Sequence, residues 1–190
     1  QVKAVNPDTG KEVATGEIGE MMVKGPHVLK GYWQNPEETG KQLEKDGWLH
    51  TGDLVSIDQE GFITIHGRNK DLINRGGLKI YPSDIETLIL QHPRVSQVCI
   101  VGTPNPVLGE SICACVIPKE GARVSLQEIR EFLKDKVAKH KLPDELLIVS
   151  DFPKVAGGIK IKKYGAGGVQ ELASQNKNRE SFRSNQTTGG

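Results

Sequence analysis

Cations and glycines concentrate in one segment of the chain, residues 67–80, which reads GRNKDLINRGGLKI. Arg68, Lys70 and Lys79 carry positive charge that can bind anions such as phosphate. The Gly76-Gly77 pair supplies backbone that can adopt unusual angles and lets a ligand approach closely. A junction of this composition can therefore bind an anion and can also change the direction of the chain.

Three more segments carry patterns: residues 16–20 read GEIGE, residues 31–33 read GYW and residues 47–53 read GWLHTGD. In this order and spacing, together with residues 67–80, they resemble the motifs of the adenylate-forming enzymes. That superfamily comprises acyl-CoA synthetases, adenylation domains of peptide synthetases and beetle-type luciferases. The resemblance runs from the first residue to about Lys163 and implies the C-terminal portion of such an enzyme.

The resemblance implies a nucleotide site at Asp53 and Arg68. Asp53 would accept hydrogen bonds from both ribose hydroxyls of ATP or the acyl-adenylate, a task that suits a carboxylate because it only accepts. Arg68 would hold ribose or phosphate oxygens. Without the resemblance, a Thr-Gly-Asp triplet is more often a turn with a capping aspartate, and an arginine at a strand end is often only solvated.

The resemblance also implies a hinge at Lys70 and a CoA site beside it. A pivot must change its backbone angles at one exposed residue and need not touch substrate. Gly76, Gly77 and Lys79 would border the pantetheine tunnel, with Arg75 as a further contact for CoA phosphate. A plain turn flanked by solvated charges is the alternative at each of these positions.

A catalytic lysine is expected near the C-terminus, where it would stabilise the charge that develops as pyrophosphate leaves. Family members read proline, five residues, then Gly-Lys-Ile. Here the segment from Pro153 places Ile159 between Gly158 and the lysine, so the match falls on Lys160, with Lys162 as the second choice.

The pattern of apolar residues predicts an α+β chain in three parts. Residues 1–68 alternate apolar and polar positions around turns, which favours a small antiparallel β subdomain, the last part of the AMP-binding body in the family. Residues 69–165 follow an α-β-β-α-β order, which predicts a mobile lid domain with a three-stranded sheet and its helices on one face. Residues 166–190 are rich in Gly, Gln, Asn and Ser, which favours a disordered tail.

Three sites carry helix-start signals. Asn35-Pro36 combines a capping side chain with proline at the first helical position, where no backbone N–H is needed. Residues 83–86 read SDIE and Ser125 precedes Leu-Gln-Glu, so both match the capping box.

Composition excludes several classes of function. The formal charge of +1 gives no general affinity for nucleic acid, and the basic run at residues 134–141 is interrupted by Asp135. No apolar run approaches the roughly 20 residues of a membrane-spanning helix, so a cytoplasmic protein, or one of an organellar matrix, is expected. The three cysteines have no zinc-ligand spacing. Because the chain begins with Gln1, we expect a piece of a longer protein.

The whole enzyme is thus expected to be an acid–thiol ligase that uses ATP, Mg²⁺ and CoA with a carboxylic acid. Its partner would be the N-terminal domain of the same protein, and no metal ligand is predicted in this chain. Alone the chain should be inactive, because it lacks the Ser/Thr/Gly-rich phosphate loop and the acyl pocket. Two alternatives stay open: an adenylation domain that serves a carrier protein, and a non-catalytic binding module with the lid fold.

Overall fold

A computed structural model describes residues 1–158 and 160–177 of the 190-residue chain. The chain forms two compact units that divide between Asp71 and Leu72. The predicted boundary, between residues 68 and 69, lies within the same segment 67–80.

The first unit is an antiparallel sheet with one short helix. Its strands lie in chain order: β1 (Val2–Val5), β2 (Ile18–Val23), β3 (Leu49–Ile57) and β4 (Ile63–Arg68). Helix α1 (Pro36–Gln42) begins as predicted, since the Asn35 side chain accepts a hydrogen bond from the Glu38 backbone N–H at 3.1 Å. Val5, Met22 and Val55 are fully buried and form the centre of this unit.

The second unit is built around one long central strand. Its strands are β5 (Ile73–Arg75), β6 (Leu78–Ile80), β7 (Val95–Asn105), β8 (Gly109–Pro118) and β9 (Glu145–Ile148), with helices α2 (Pro82–Ile89) and α3 (Leu126–Leu133). Strand β8 pairs antiparallel with β7, parallel with β9, and at its first residue with β5. The α+β class is confirmed. The sheet has five strands rather than three, because the segment assigned to the hinge folds into the β5–β6 hairpin and joins it.

The two predicted helices pack on one face of this sheet, as expected, but the opposite face is also covered. Helices α2 and α3 cover one face, where Ile85, Ile89 and Ile129 pack against Ile100 and Ile112. A further helix, α4, spans residues 169–177 and covers the opposite face.

Helix α4 also corrects the prediction of a disordered tail from residue 166. Val169 and Ala173 lie one turn apart on this helix and are buried, at 1% and 2% exposure. They pack with Phe152 on the face that carries the three cysteines, so apolar contact with the sheet stabilises this helix. Residues 178–190 lie outside the described residues.

The predicted capping box at residues 83–86 is also wrong. Helix α2 begins at Pro82, and its N-cap residue Tyr81 makes no side-chain cap bond. The fixed φ of proline favours the first helical position, which moves the start ahead of Ser83. At α3 the prediction is confirmed, since Ser125 Oγ accepts from the Glu128 N–H at 3.2 Å.

Candidate functional site

Asp53 and Arg68 face each other across strands β3 and β4. The Arg68 guanidinium and the Asp53 carboxylate form an ion pair, with Arg68 Nε 2.8 Å from Asp53 Oδ1, and the two side chains are 51% and 25% exposed. The second carboxylate oxygen of Asp53 has no hydrogen-bond partner among the described residues. The pair is therefore ordered within the first unit and can still accept further hydrogen bonds.

An extra residue on β4 brings these two side chains together. Val55 pairs with Ile65 and Leu54 pairs with Gly67, so His66 has no residue opposite it. Such a bulge shifts the register of the remaining strand by one residue. Without this bulge, Arg68 would lie opposite Gly52 instead of opposite Asp53.

A second and larger bulge lies on the other side of β3. The Glu20–Leu54 and Met22–His50 pairs flank it, so a single residue of β2 faces residues 51–53 of β3. Residues 51–53 therefore leave the ladder with β2. A bulge turns a side chain away from the direction that a regular strand would give it. Asp53 is the last residue of this bulge, so the bulge affects the direction of its side chain.

An open cavity of about 570 Å³ lies beside this bulged segment. That volume falls within the range of about 300–1,000 Å³ that is usual for small-molecule sites. Its walls come from β2, α1, β3, β4 and the turn after β4, and include Glu20, Tyr32, His50, Thr51, Arg68 and Lys70. Asp53 does not line the cavity itself. Its carboxylate forms an ion pair with Arg68, and Arg68 lines the cavity.

Lys70 lies in the 3-10 turn Asn69–Asp71, directly before the division between the two units. Its side chain is exposed, and its ammonium group has no hydrogen bond or ion pair in the part of the chain that the structure describes. A pivot needs this freedom from contacts. Its role as the hinge stays a prediction.

Gly76 and Gly77 form the two-residue turn of the β5–β6 hairpin. Their φ angles are +58° and +82°, the left-handed pair that a type I′ turn requires and that glycine adopts without strain. The Gly76 N–H also donates to the Leu108 carbonyl at 2.7 Å. Turn geometry alone thus explains both glycines, and their contact with CoA stays a prediction.

Lys79 and Arg75 flank this turn and differ in their surroundings. Lys79 is exposed on β6, next to Tyr81, where burial raises the pKa of the phenol and the Lys79 charge acts in the opposite direction. Arg75 instead donates to Asp144 Oδ1 at 2.5 Å and to the His140 carbonyl at 2.7 Å. The suggestion that Arg75 binds CoA phosphate is therefore not supported, because these contacts hold its guanidinium within the second unit.

Lys160 lies at the end of an exposed loop. The Lys154–Ile161 bridge closes the loop, and the Val155 N–H donates to the Lys160 carbonyl at 2.9 Å. The Lys160 ammonium has no partner among the described residues. Ile159, the residue that shifts the lysine motif, lies outside them.

The two lysines after Lys160 are both held within the second unit. Lys162 donates to the Ala166 carbonyl at 2.5 Å, and Lys163 pairs with Glu86 at 2.8 Å. The second choice for the catalytic lysine, Lys162, is therefore already bonded. Lys160 remains the better choice, and no contact in the structure tests its role.

Comparison with known proteins places this chain in a family. The family model of the AMP-binding enzyme C-terminal domain matches residues 84–158. The putative acyl-CoA synthetase YngI of Bacillus subtilis is 43% identical over 164 residues, which cover 86% of this chain and 30% of that protein. The mitochondrial medium-chain acyl-CoA ligase ACSF2 of Danio rerio is 42% identical over 164 residues, covering 86% and 27%. The ATP-bound crystal structure of MatB from Rhodopseudomonas palustris has a TM-score of 0.77 and 36% identity, over 96% of this chain and 34% of that one.

The chain belongs to the adenylate-forming enzymes. It spans less than a third of the length of the curated relatives it matches. The described part of the chain contains no helix long and apolar enough to cross a membrane.

The described residues offer no group of three or more His, Cys, Asp or Glu side chains that could hold a metal ion.

Two residues of the site have no predicted role, Glu20 and His50. Glu20 accepts hydrogen bonds inside the larger bulge, and His50 lies against it. Both belong to segments of the adenylate-forming pattern, residues 16–20 and 47–53, so the signal was present. Their roles became visible only when β2 and β3 were paired.

Proposed function

We propose that the protein carrying this chain is an ATP-dependent acyl-CoA synthetase. The carboxylate of an acid would attack the α-phosphorus of ATP and release pyrophosphate, giving an acyl-adenylate. The CoA thiol sulfur would then attack the acyl carbonyl carbon and release AMP, giving the thioester. The observation that carries the proposal is the Asp53–Arg68 pair, held between two bulges beside a cavity of small-molecule size.

In this proposal the pair binds the nucleotide sugar. Asp53 Oδ1 is occupied by Arg68, so Oδ2 would accept from a ribose hydroxyl, and a carboxylate has room for about four hydrogen bonds in all. The Arg68 side chain is half exposed and uses only Nε toward Asp53, which leaves its terminal nitrogens for ribose or phosphate oxygens. A hydrogen bond that involves a charged group contributes about 1.5–3 kcal/mol.

Lys160 would stabilise the α-phosphate during formation of the adenylate. Its unpartnered ammonium on an exposed loop supports this assignment, because the group can reach a ligand without breaking a contact. Removing a group with such an electrostatic role typically lowers the rate by about 10²–10³.

The second half-reaction would need the lid to turn. We propose that the backbone around Lys70 supplies this change and that Gly76, Gly77 and Lys79 then border the CoA thiol and its pantetheine arm. The division between the units after Asp71 supports the placement of the pivot. The 190-residue chain alone would be inactive, because its match covers 30% or less of the relatives.

The proposals for the acid and for the cellular location come from the name of a relative. The zebrafish relative is named a medium-chain, mitochondrial ligase. Medium-chain fatty acids are therefore the first acids to test, and imaging of the full-length protein would decide between the cytoplasm and an organellar matrix.

The test is a pair of assays on the full-length protein. Acid-dependent exchange of pyrophosphate into ATP should report adenylation, and AMP release should then depend on added CoA. If pyrophosphate exchange is observed but the acyl group is transferred only to the phosphopantetheine of a carrier protein, the peptide-synthetase alternative replaces the CoA proposal. Absence of exchange across acids of increasing chain length would favour the non-catalytic module.

A further inference from the structure

We infer that Glu20 is a positioning residue for Asp53 and that His50 holds Glu20 in place. The inference rests on the proposed function, because it concerns how the same nucleotide site is kept in shape. It starts from a feature that motif comparison does not explain: a carboxylate with a 12% exposed side chain behind the bulge.

The Glu20 carboxylate acts on the bulge through the backbone of Gly52. Residues 51–53 have no register partners on β2, so an N–H group of this segment that points toward β2 lacks the acceptor of a regular ladder. Gly52 has a φ of +73°, and its N–H donates to Glu20 Oε1 at 3.1 Å. A backbone N–H that leaves the ladder needs another acceptor, and Glu20 supplies a charged one.

Thr51 completes the support of the bulge. Its hydroxyl donates to the Met21 carbonyl at 2.8 Å and accepts from the Asp53 N–H at 3.1 Å. The backbone of Asp53 is thereby fixed by the residues before it, while Arg68 fixes its carboxylate. Loss of the Glu20 bond would free the middle of the bulge and change the direction of Asp53.

His50 fixes the other oxygen of Glu20. Its Nδ1 lies 3.3 Å from Glu20 Oε2, and its Nε2 lies 3.0 Å from Glu44 Oε1. The imidazole thus ties Glu20 to Glu44 and leaves Glu20 Oε1 for Gly52.

The same contacts could instead serve the stability of the first unit only. In that case Glu20 would affect folding without acting through Asp53. A double-mutant cycle separates the two, because residues that act through one another give non-additive effects.

The experiment uses the full-length enzyme and measures KM for ATP and kcat in the pyrophosphate-exchange assay. Glu20→Ala should raise KM for ATP about tenfold, the loss expected for one hydrogen bond to a charged group, with a smaller change in kcat. Glu20→Gln should stay within about threefold of wild type, because the amide oxygen can still accept from Gly52. Glu60→Ala, in the exposed β3–β4 turn, is the matched control and should change neither parameter.

The decisive comparison adds Glu20→Ala to Asp53→Ala. If Glu20 acts through Asp53, the double variant should show the same ATP kinetics as Asp53→Ala alone. Should Glu20→Ala prevent folding, His50→Gln takes its place in the same cycle, with an expected rise in KM of about threefold.

The outcomes separate this inference from the proposed function. Normal ATP kinetics in Asp53→Ala would remove the proposed nucleotide site itself. A damaged Asp53→Ala enzyme with additive effects of Glu20→Ala, or with no effect of Glu20→Ala, would overturn only the positioning role.

Discussion

Helix α4 gives a sharp test of the fold, because its stability depends on two small side chains that are buried against the sheet. Val169 is 1% exposed and packs over the sheet face that carries Cys99, Cys113 and Cys115. All three cysteines are buried and none forms a disulfide. The hydrogen bond with the Cys113 thiol and burial both raise the pKa of Cys115, which keeps its thiol protonated and unreactive.

The perturbation is Val169→Ala. The substitution removes two carbon atoms from a fully buried side chain. Each buried carbon contributes about 0.8 kcal/mol of transfer free energy, and the cavity left behind destabilises the unit further. We expect the free energy of unfolding of the second unit to fall by about 2 kcal/mol. For a unit of roughly 100 residues, this lowers Tm by about 8 °C or more.

The assay combines thermal unfolding of the 190-residue chain with the rate at which an aromatic disulfide reagent modifies the thiols. Val169→Ala should lower Tm and speed modification, because local opening of the helix exposes the thiols. Leu172→Ala is the control on the same helix, since Leu172 is 38% exposed and should cost well under 1 kcal/mol. Equal Tm values and equal modification rates in the two variants would refute the packing of α4.

Three more predictions concern charged groups. Burial lowers the pKa of His92, with Glu128 acting in the opposite direction, so the unfolded chain takes up the proton more readily than the folded one. Stability should therefore fall as the pH drops below the ordinary value of about 6.5, and urea unfolding at several pH values should show a weaker fall for His92→Gln. Arg75→Ala should cost about 2 kcal/mol in the same urea assay, because Asp144 loses its partner in a largely buried pair, and a cost below about 0.5 kcal/mol would contradict this. In the full-length enzyme, Lys160→Ala should slow pyrophosphate exchange about 10²–10³-fold and Lys162→Ala only a few-fold, and the reverse order would reassign the catalytic lysine.

Local signals in the sequence predicted the elements whose causes are local. Asn35 with Pro36 and Ser125 with Glu128 form caps within three residues, and both helices begin where these residues indicated. The signal at residues 83–86 failed because Pro82 competes for the same helix start. The sequence contains both helix-start signals, and only the path of the preceding strand decides which of them begins the helix.

The burial of the second face of the sheet is indicated by the central strands themselves. Residues 98–101 and 112–117 are continuously apolar, a pattern typical of strands buried on both faces. Helix α4 has only Val169, Leu172 and Ala173 at helical spacing among polar residues. Its own sequence could not predict a helix, since its stability comes from contact with the sheet.

The site shows the same division between local and long-range causes. The motifs pointed to Asp53 and Arg68, but their pairing depends on the extra residue His66 in β4. A bulge is a property of two paired strands, so one strand read alone does not reveal it. For this reason the role of Glu20 could not be predicted before β2 and β3 were paired.

The central claim is that Asp53 binds the nucleotide, and the ATP kinetics of Asp53→Ala in the full-length enzyme test it most directly. With two charge-assisted hydrogen bonds lost, kcat/KM for ATP in acid-dependent pyrophosphate exchange should fall at least about 100-fold. Asp46→Ala, an exposed aspartate in the turn before β3, should stay within about twofold of wild type. Equal values of kcat/KM for ATP in Asp53→Ala, Asp46→Ala and wild type would contradict the account.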